Sequence, residues 1–129
     1  MANKKVMLDA NAVLRFVLHD NEKQFSSVVS LINNENCYVS LEVIAEIVYV
    51  LDGVYEVPRA EISSILKRLG NDITILNSSV LFKALDVYTK KPKIDFVDCL
   101  MVGYSEIANY EIFSFDKKLN KVLSREKED

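Results

Sequence analysis

Residues 5–18 read KVMLDANAVLRFVL, and the change of pattern inside this stretch decides the fold. Lys5 to Leu8 is a short apolar run of the kind that forms a strand buried on both faces. Asp9 ends it. From Asn11 to Leu18 the apolar positions Val13, Phe16 and Val17 recur at helical spacing. A strand that stops at an acid and turns at once into a helix is the opening of an α/β unit.

The alternation continues outward from there. A second helix is expected from about Glu22 to Ile32, with Phe25, Val28, Val29 and Ile32 on one face. Asn33, Asn34 and Asn36 break it, and Cys37 to Val39 reads as a strand. Ser40 is a good N-cap for a helix from Leu41 to about Leu51 that ends near Gly53. Pro58 suits the first turn of the next helix, which Gly70 closes after Leu69. Ile73 to Leu76 is a third strand, followed by a helix from Ser78 or Ser79 to about Thr89. After Pro92 a helix starts at Asp95 and runs through Ala108. Glu111 to Phe115 is expected as a fourth strand, ending at Asp116, with a short helix from Lys117 to about Leu123. The pattern predicts an α/β fold with a short parallel sheet of about four strands and helices on both faces. A single domain is expected over residues 1–124, with a charged tail at 125–129.

Composition agrees. The chain has 129 residues, half of them hydrophobic, and only three glycines and two prolines, which disfavours an all-β sandwich. No apolar run approaches the ~20 residues of a membrane span, and the N-terminal apolar stretch is too short for a secretory signal. Cys37 and Cys99 lie among apolar neighbours and are read as buried reduced thiols, which points to the cytoplasm. His19, the sole histidine, has no His or Cys at ligand spacing, which disfavours zinc; it is expected to face solvent at a helix end. The net charge of −3 does not announce a nucleic-acid binder, although lysines cluster at 4–5, at 90, 91 and 93, and at 117, 118 and 121.

Four acids stand out. Asp9 and Asp116 each follow a strand, where open parallel sheets bind ligands; each also has an ordinary role as the cap of the following helix. Glu46 and Asp98 sit inside apolar helical runs, VIAEIVYVL and DFVDCLMV. A buried ionised carboxylate costs several kcal/mol unless it is compensated, and a metal ion is the economical compensation. Asp98 has another reading, because Asp95 three residues earlier forms a capping-box variant with it. Glu42, four residues before Glu46, is taken as the solvated acid of its helix. All-oxygen ligands select Mg²⁺ or Mn²⁺, and a carboxylate cluster holding such ions suits attack of water on a phosphodiester.

The segments VMLDANAVLRFVL, SLEVIAEIVYVL, IDFVDCLMVGYS and IFSFDKKLNKV come in the order of a known family and span nearly the whole chain. The chain resembles the PIN domains, a Rossmann-like nuclease family, and most closely the VapC-like toxin ribonucleases of toxin–antitoxin pairs. The resemblance implies that Asp9, Glu46, Asp98 and Asp116 form the catalytic metal site. Asn11 then orients ligands or the attacking water, Ser114 hydrogen-bonds near the first acid, and Asp95 is an auxiliary fifth acid. It also implies an RNA substrate, a homodimer and a small antitoxin protein as partner. Ala10 stands where Thr or Ser is common, and Leu119 where Phe is often found. Tyr49, Leu51, Val54 and Tyr55 are read either as core residues or as an apolar surface for a partner, with core the expected role.

Three rival readings fit parts of the sequence. A haloacid-dehalogenase-like phosphatase needs an acid where Asn11 stands. A receiver domain needs an aspartate ending a central strand, but Ser40 and Asn77 occupy those places. The third is a catalytically inactive PIN-like module that binds RNA or protein.

Overall fold

A computed structural model describes residues 3–128. Among them are three strands and seven helices in α/β order. The chain divides into two compact units, Met1–Leu76 and Asn77–Asp129.

The first unit holds β1 (Lys5–Met7), α1 (Ala10–Leu18), α2 (Glu22–Asn34), β2 (Asn36–Val39), α3 (Leu41–Gly53), α4 (Arg59–Leu69) and β3 (Thr74–Ile75). Its sheet is parallel in the order β1-β2-β3, with Val6 opposite Cys37 and Val39 opposite Ile75. Pairing runs one bond past the strand ends: the Leu8 N–H donates to the Tyr38 carbonyl at 2.9 Å, and the Leu76 N–H to that of Val39 at 3.0 Å. Ser40 caps α3 as its residue type predicts, its hydroxyl accepting the Val43 N–H. Val13, Val39, Ile44, Ile47, Leu51, Ile62, Leu66 and Ile73 form the buried core. His19 is exposed, as expected. It closes α1 in the left-handed region (φ 51°), stacks on Phe25 and contacts Glu22 through Nε2 at 2.7 Å.

The second unit holds α5 (Ser78–Lys90), α6 (Phe96–Ala108) and α7 (Lys117–Glu128). Leu81, Ala84, Leu85 and Tyr88 of α5 are buried, as are Cys99 and Val102 of α6, and Tyr88 meets Phe96 edge-on at 5.5 Å. Close approach of the two helices depends on Gly103. A Cβ there would stand 2.5 Å from the Val80 carbonyl oxygen.

Two expectations change. Glu111 to Phe115 forms no strand among the described residues, although exposure still alternates with period two and Phe113 and Phe115 are 87% and 89% exposed. The last helix does not stop near Leu123 but continues to Glu128, so most of the segment expected as a tail is helical; Asp129 lies outside the described residues.

Candidate active site

Each unit carries part of the acidic set. In the first, Asp9 stands two residues past β1 with extended backbone, and its Oδ1 accepts the Ala12 N–H at 2.8 Å, capping α1. Asn11 is exposed in the first turn of that helix. Glu46 lies on α3, which packs against α1. The expectation that Glu46 is buried does not hold. It is exposed, on a stripe with Glu42 and Tyr49 at helical spacing. An exposed carboxylate needs no compensating ion, so the burial argument for a metal at Glu46 falls away. Leu51 is a core residue, but Tyr49, Val54 and Tyr55 are exposed, which corrects the expectation of core roles for these three.

The second unit gathers three acids around two helix starts. The Asp95 Oδ1 accepts the Asp98 N–H at 2.9 Å and caps α6, as the capping-box reading predicts. Asp98 is half-buried in the first turn. The Asp116 Oδ1 accepts the Leu119 N–H at 2.9 Å at the start of α7. Ser114 bonds to this acid's own backbone, its hydroxyl accepting the Asp116 N–H at 3.0 Å. Asn120, not singled out from the sequence, ties the same turn: its Nδ2 donates to the Ser114 carbonyl at 2.9 Å. The signal was present as a neutral amide four residues after Asp116, where the first helical turn folds back over the preceding loop.

Electrostatics marks Asp98 as the strained member. Burial raises its pKa above the ordinary aspartate value; the charges of Asp95 and then Asp116 raise it further, as does a side-chain hydrogen bond with Asp95. Like charges therefore converge on one partly desolvated carboxyl. Asp9, Asp95 and Asp116 each commit one oxygen to a backbone N–H and keep the other outside the cap. Cys37 and Cys99 are buried free thiols, and burial followed by the nearby Glu35 charge raises the Cys37 pKa. The raised pKa disfavours a reactive thiolate at Cys37.

Among the described residues no group of three or more His, Cys, Asp or Glu side chains stands close enough together to hold a metal ion. The donor set still fits a hard divalent cation. The candidates are carboxylates without sulfur or imidazole, and the crowding at Asp98 is the kind of repulsion a cation relieves.

Among the described residues no helix is long and apolar enough to cross a membrane. The family model described as PIN domain matches residues 6–123. Neither the comparison with curated proteins nor that with solved structures returned a match.

Proposed function

From the premise that this chain belongs to the PIN-domain family, whose members are generally nucleases, we propose that it is a Mg²⁺- or Mn²⁺-dependent endoribonuclease cutting single-stranded or structured RNA, and the toxin of a toxin–antitoxin pair. The observation that carries this reading is the convergence of Asp95 and Asp116 on the half-buried carboxyl of Asp98, at the starts of α6 and α7. In this reading Asp9, Glu46, Asp98 and Asp116 are the residues that would hold the cation. When bound, it supplies charge neutralisation at the phosphate and a lowered pKa for the attacking water.

The chain's own residues do the rest. Asp95 fixes the first turn of α6, and so the direction in which Asp98 leaves the helix. Ser114 and Asn120 hold the loop from which Asp116 projects. Asp98, its pKa raised by burial and by the neighbouring charges, accepts a proton more readily than an ordinary aspartate. Asn11 offers an exposed amide two residues after Asp9, suited to orienting a phosphate oxygen or a water. In this reading the protein works in the cytoplasm as a homodimer and is blocked by a small antitoxin; the exposed Tyr49, Val54 and Tyr55 are an apolar surface on which a protein partner can sit.

The test is incubation of purified protein with labelled single-stranded RNA and total tRNA, in Mg²⁺, Mn²⁺ or EDTA, beside Asp9→Asn. Cleavage that needs the metal and disappears in the variant supports the reading. Equal cleavage by wild type and Asp9→Asn overturns the site. A second reading, a PIN-like module that binds RNA or protein without cutting, draws on the capping roles of Asp9, Asp95 and Asp116, which account for those acids without chemistry. Stabilisation by Mn²⁺ with no cleavage of any RNA selects it.

A further inference from the structure

A recess of about 400 Å³ opens in the second unit between the α5–α6 connection and one face of α7. Six of the chain's sixteen Lys and Arg residues line it: Lys90, Lys91, Lys93, Lys118, Lys121 and Arg125. Among the described residues no acid lines it, and the apolar part comes from Pro92, Ile94 and Val122. In a chain with a net charge of −3 this concentration of one sign is local.

The arrangement follows from helical spacing. Lys118, Lys121 and Arg125 stand at i, i+3 and i+7, so they share one face of α7 and spread over roughly 10 Å of its length. All three are exposed, and so is Lys93 across the recess. Lys90 is held in part by Asp86 at 3.2 Å on its own helix. Like charges three and four residues apart repel, so this face is destabilised until an anion covers it. The cations are strung along a line and do not converge on one point. That geometry suits a chain of charges better than a single ion. The apolar lining gives sugars or bases something to lie on, which a strand of carboxylates has no use for.

We propose that this recess is a phosphodiester-binding track that holds single-stranded RNA by its backbone, separate from the acids at Asp95, Asp98 and Asp116. Only the choice of RNA as the polyanion rests on the nuclease reading; the track itself stands on the charges. Backbone contacts of this kind position a strand without reading its sequence.

The experiment measures binding of a labelled single-stranded RNA of mixed sequence in EDTA, where no metal-dependent cleavage occurs, at several salt concentrations. The variants are the triple charge reversal Lys118→Glu, Lys121→Glu and Arg125→Glu, and the milder pair Lys118→Gln and Lys121→Gln. Each lost phosphate contact should flatten the plot of log affinity against log salt by about 0.7. The triple variant is expected to bind at least about tenfold more weakly at low salt and to lose a slope of roughly 2. The pair should lose roughly 1.4 with a melting temperature no lower than that of wild type, since the repulsion along the helix is relieved. Unchanged affinity and slope in both variants overturn the track and leave the nuclease reading intact. Competition by poly-glutamate as strong, charge for charge, as that by RNA also overturns it, in favour of an acidic protein segment. Loss of cleavage in Asp98→Asn with RNA still bound along the recess separates the two readings in the other direction.

Discussion

The carboxylate of Asp95 accepts the backbone N–H of Asp98 at 2.9 Å, so one acid caps the helix and sets the other a single turn away on the same face. Two negative charges are thereby held together by the fold itself, and their energetics can be read out without substrate.

Replacing Asp98 by Asn tests that repulsion. The folded-state pKa of Asp98 lies above its unfolded value, so its contribution to stability is fully present below the unfolded pKa and is lost as the pH rises through the folded one. At neutral pH the ionised group therefore opposes folding. Asp98→Asn in EDTA should raise Tm at pH 7 by something on the order of 1–3 °C, allowing for solvent screening of a half-exposed group. The gain should fade towards about pH 4, near the ordinary aspartate value. A lower Tm for the variant at pH 7 would contradict the repulsion described.

A divalent cation should act on the same cluster with the opposite sign. Mn²⁺ at about ten times its dissociation constant is expected to stabilise wild type by roughly 1.4 kcal/mol, through preferential binding to the folded state. Asp98→Asn should show a clearly smaller increase in the same thermal scan. An identical metal response in both proteins would place the binding elsewhere.

Gly103→Ala probes the closest approach of α5 and α6. The added methyl would meet a backbone carbonyl, which cannot swing aside as a flexible side chain can. A loss of about 2–3 kcal/mol is expected, read as a lower urea midpoint with little change in slope. A neutral result would mean that the helices separate at little cost.

Asn120→Ala removes the amide that ties α7 to the Ser114 carbonyl. The bond is exposed, so stability should fall by only about 0.5–1 kcal/mol. On the nuclease reading kcat should drop several-fold with KM nearly unchanged, because a looser Asp116 affects the reacting geometry and not RNA capture. A KM effect alone would make Asn120 a binding residue.

The helices were legible because their punctuation is written in residue types. Ser40 and Asp95 cap where their side chains predict, and each apolar stripe keeps its spacing. The fourth strand was not, because a strand is defined by a partner's hydrogen bonds, and alternation in EIFSF specifies only which residues share a side. Glu46 reads as buried in the sequence for a related reason. The exposed stripe of α3 is narrow, and Tyr49 stands on it as an apolar residue, so the sequence around Glu46 looks uniformly buried. At Asp9, Asp95 and Asp116 a structural and a chemical reading were both available from the sequence. The structure realises the structural one through a backbone bond to one oxygen of each acid.

That double duty makes fold and chemistry unequally robust. Asparagine caps a helix about as well as aspartate does, so an amide at any of these three positions keeps the helix start while removing the charge. Alanine removes both, at a cost of about 1 kcal/mol per cap. A lineage can therefore lose the reaction in a single step and keep a well-formed protein, whereas it cannot discard the caps and keep the reaction. Silent descendants of such a chain should carry Asn at these places more often than Ala.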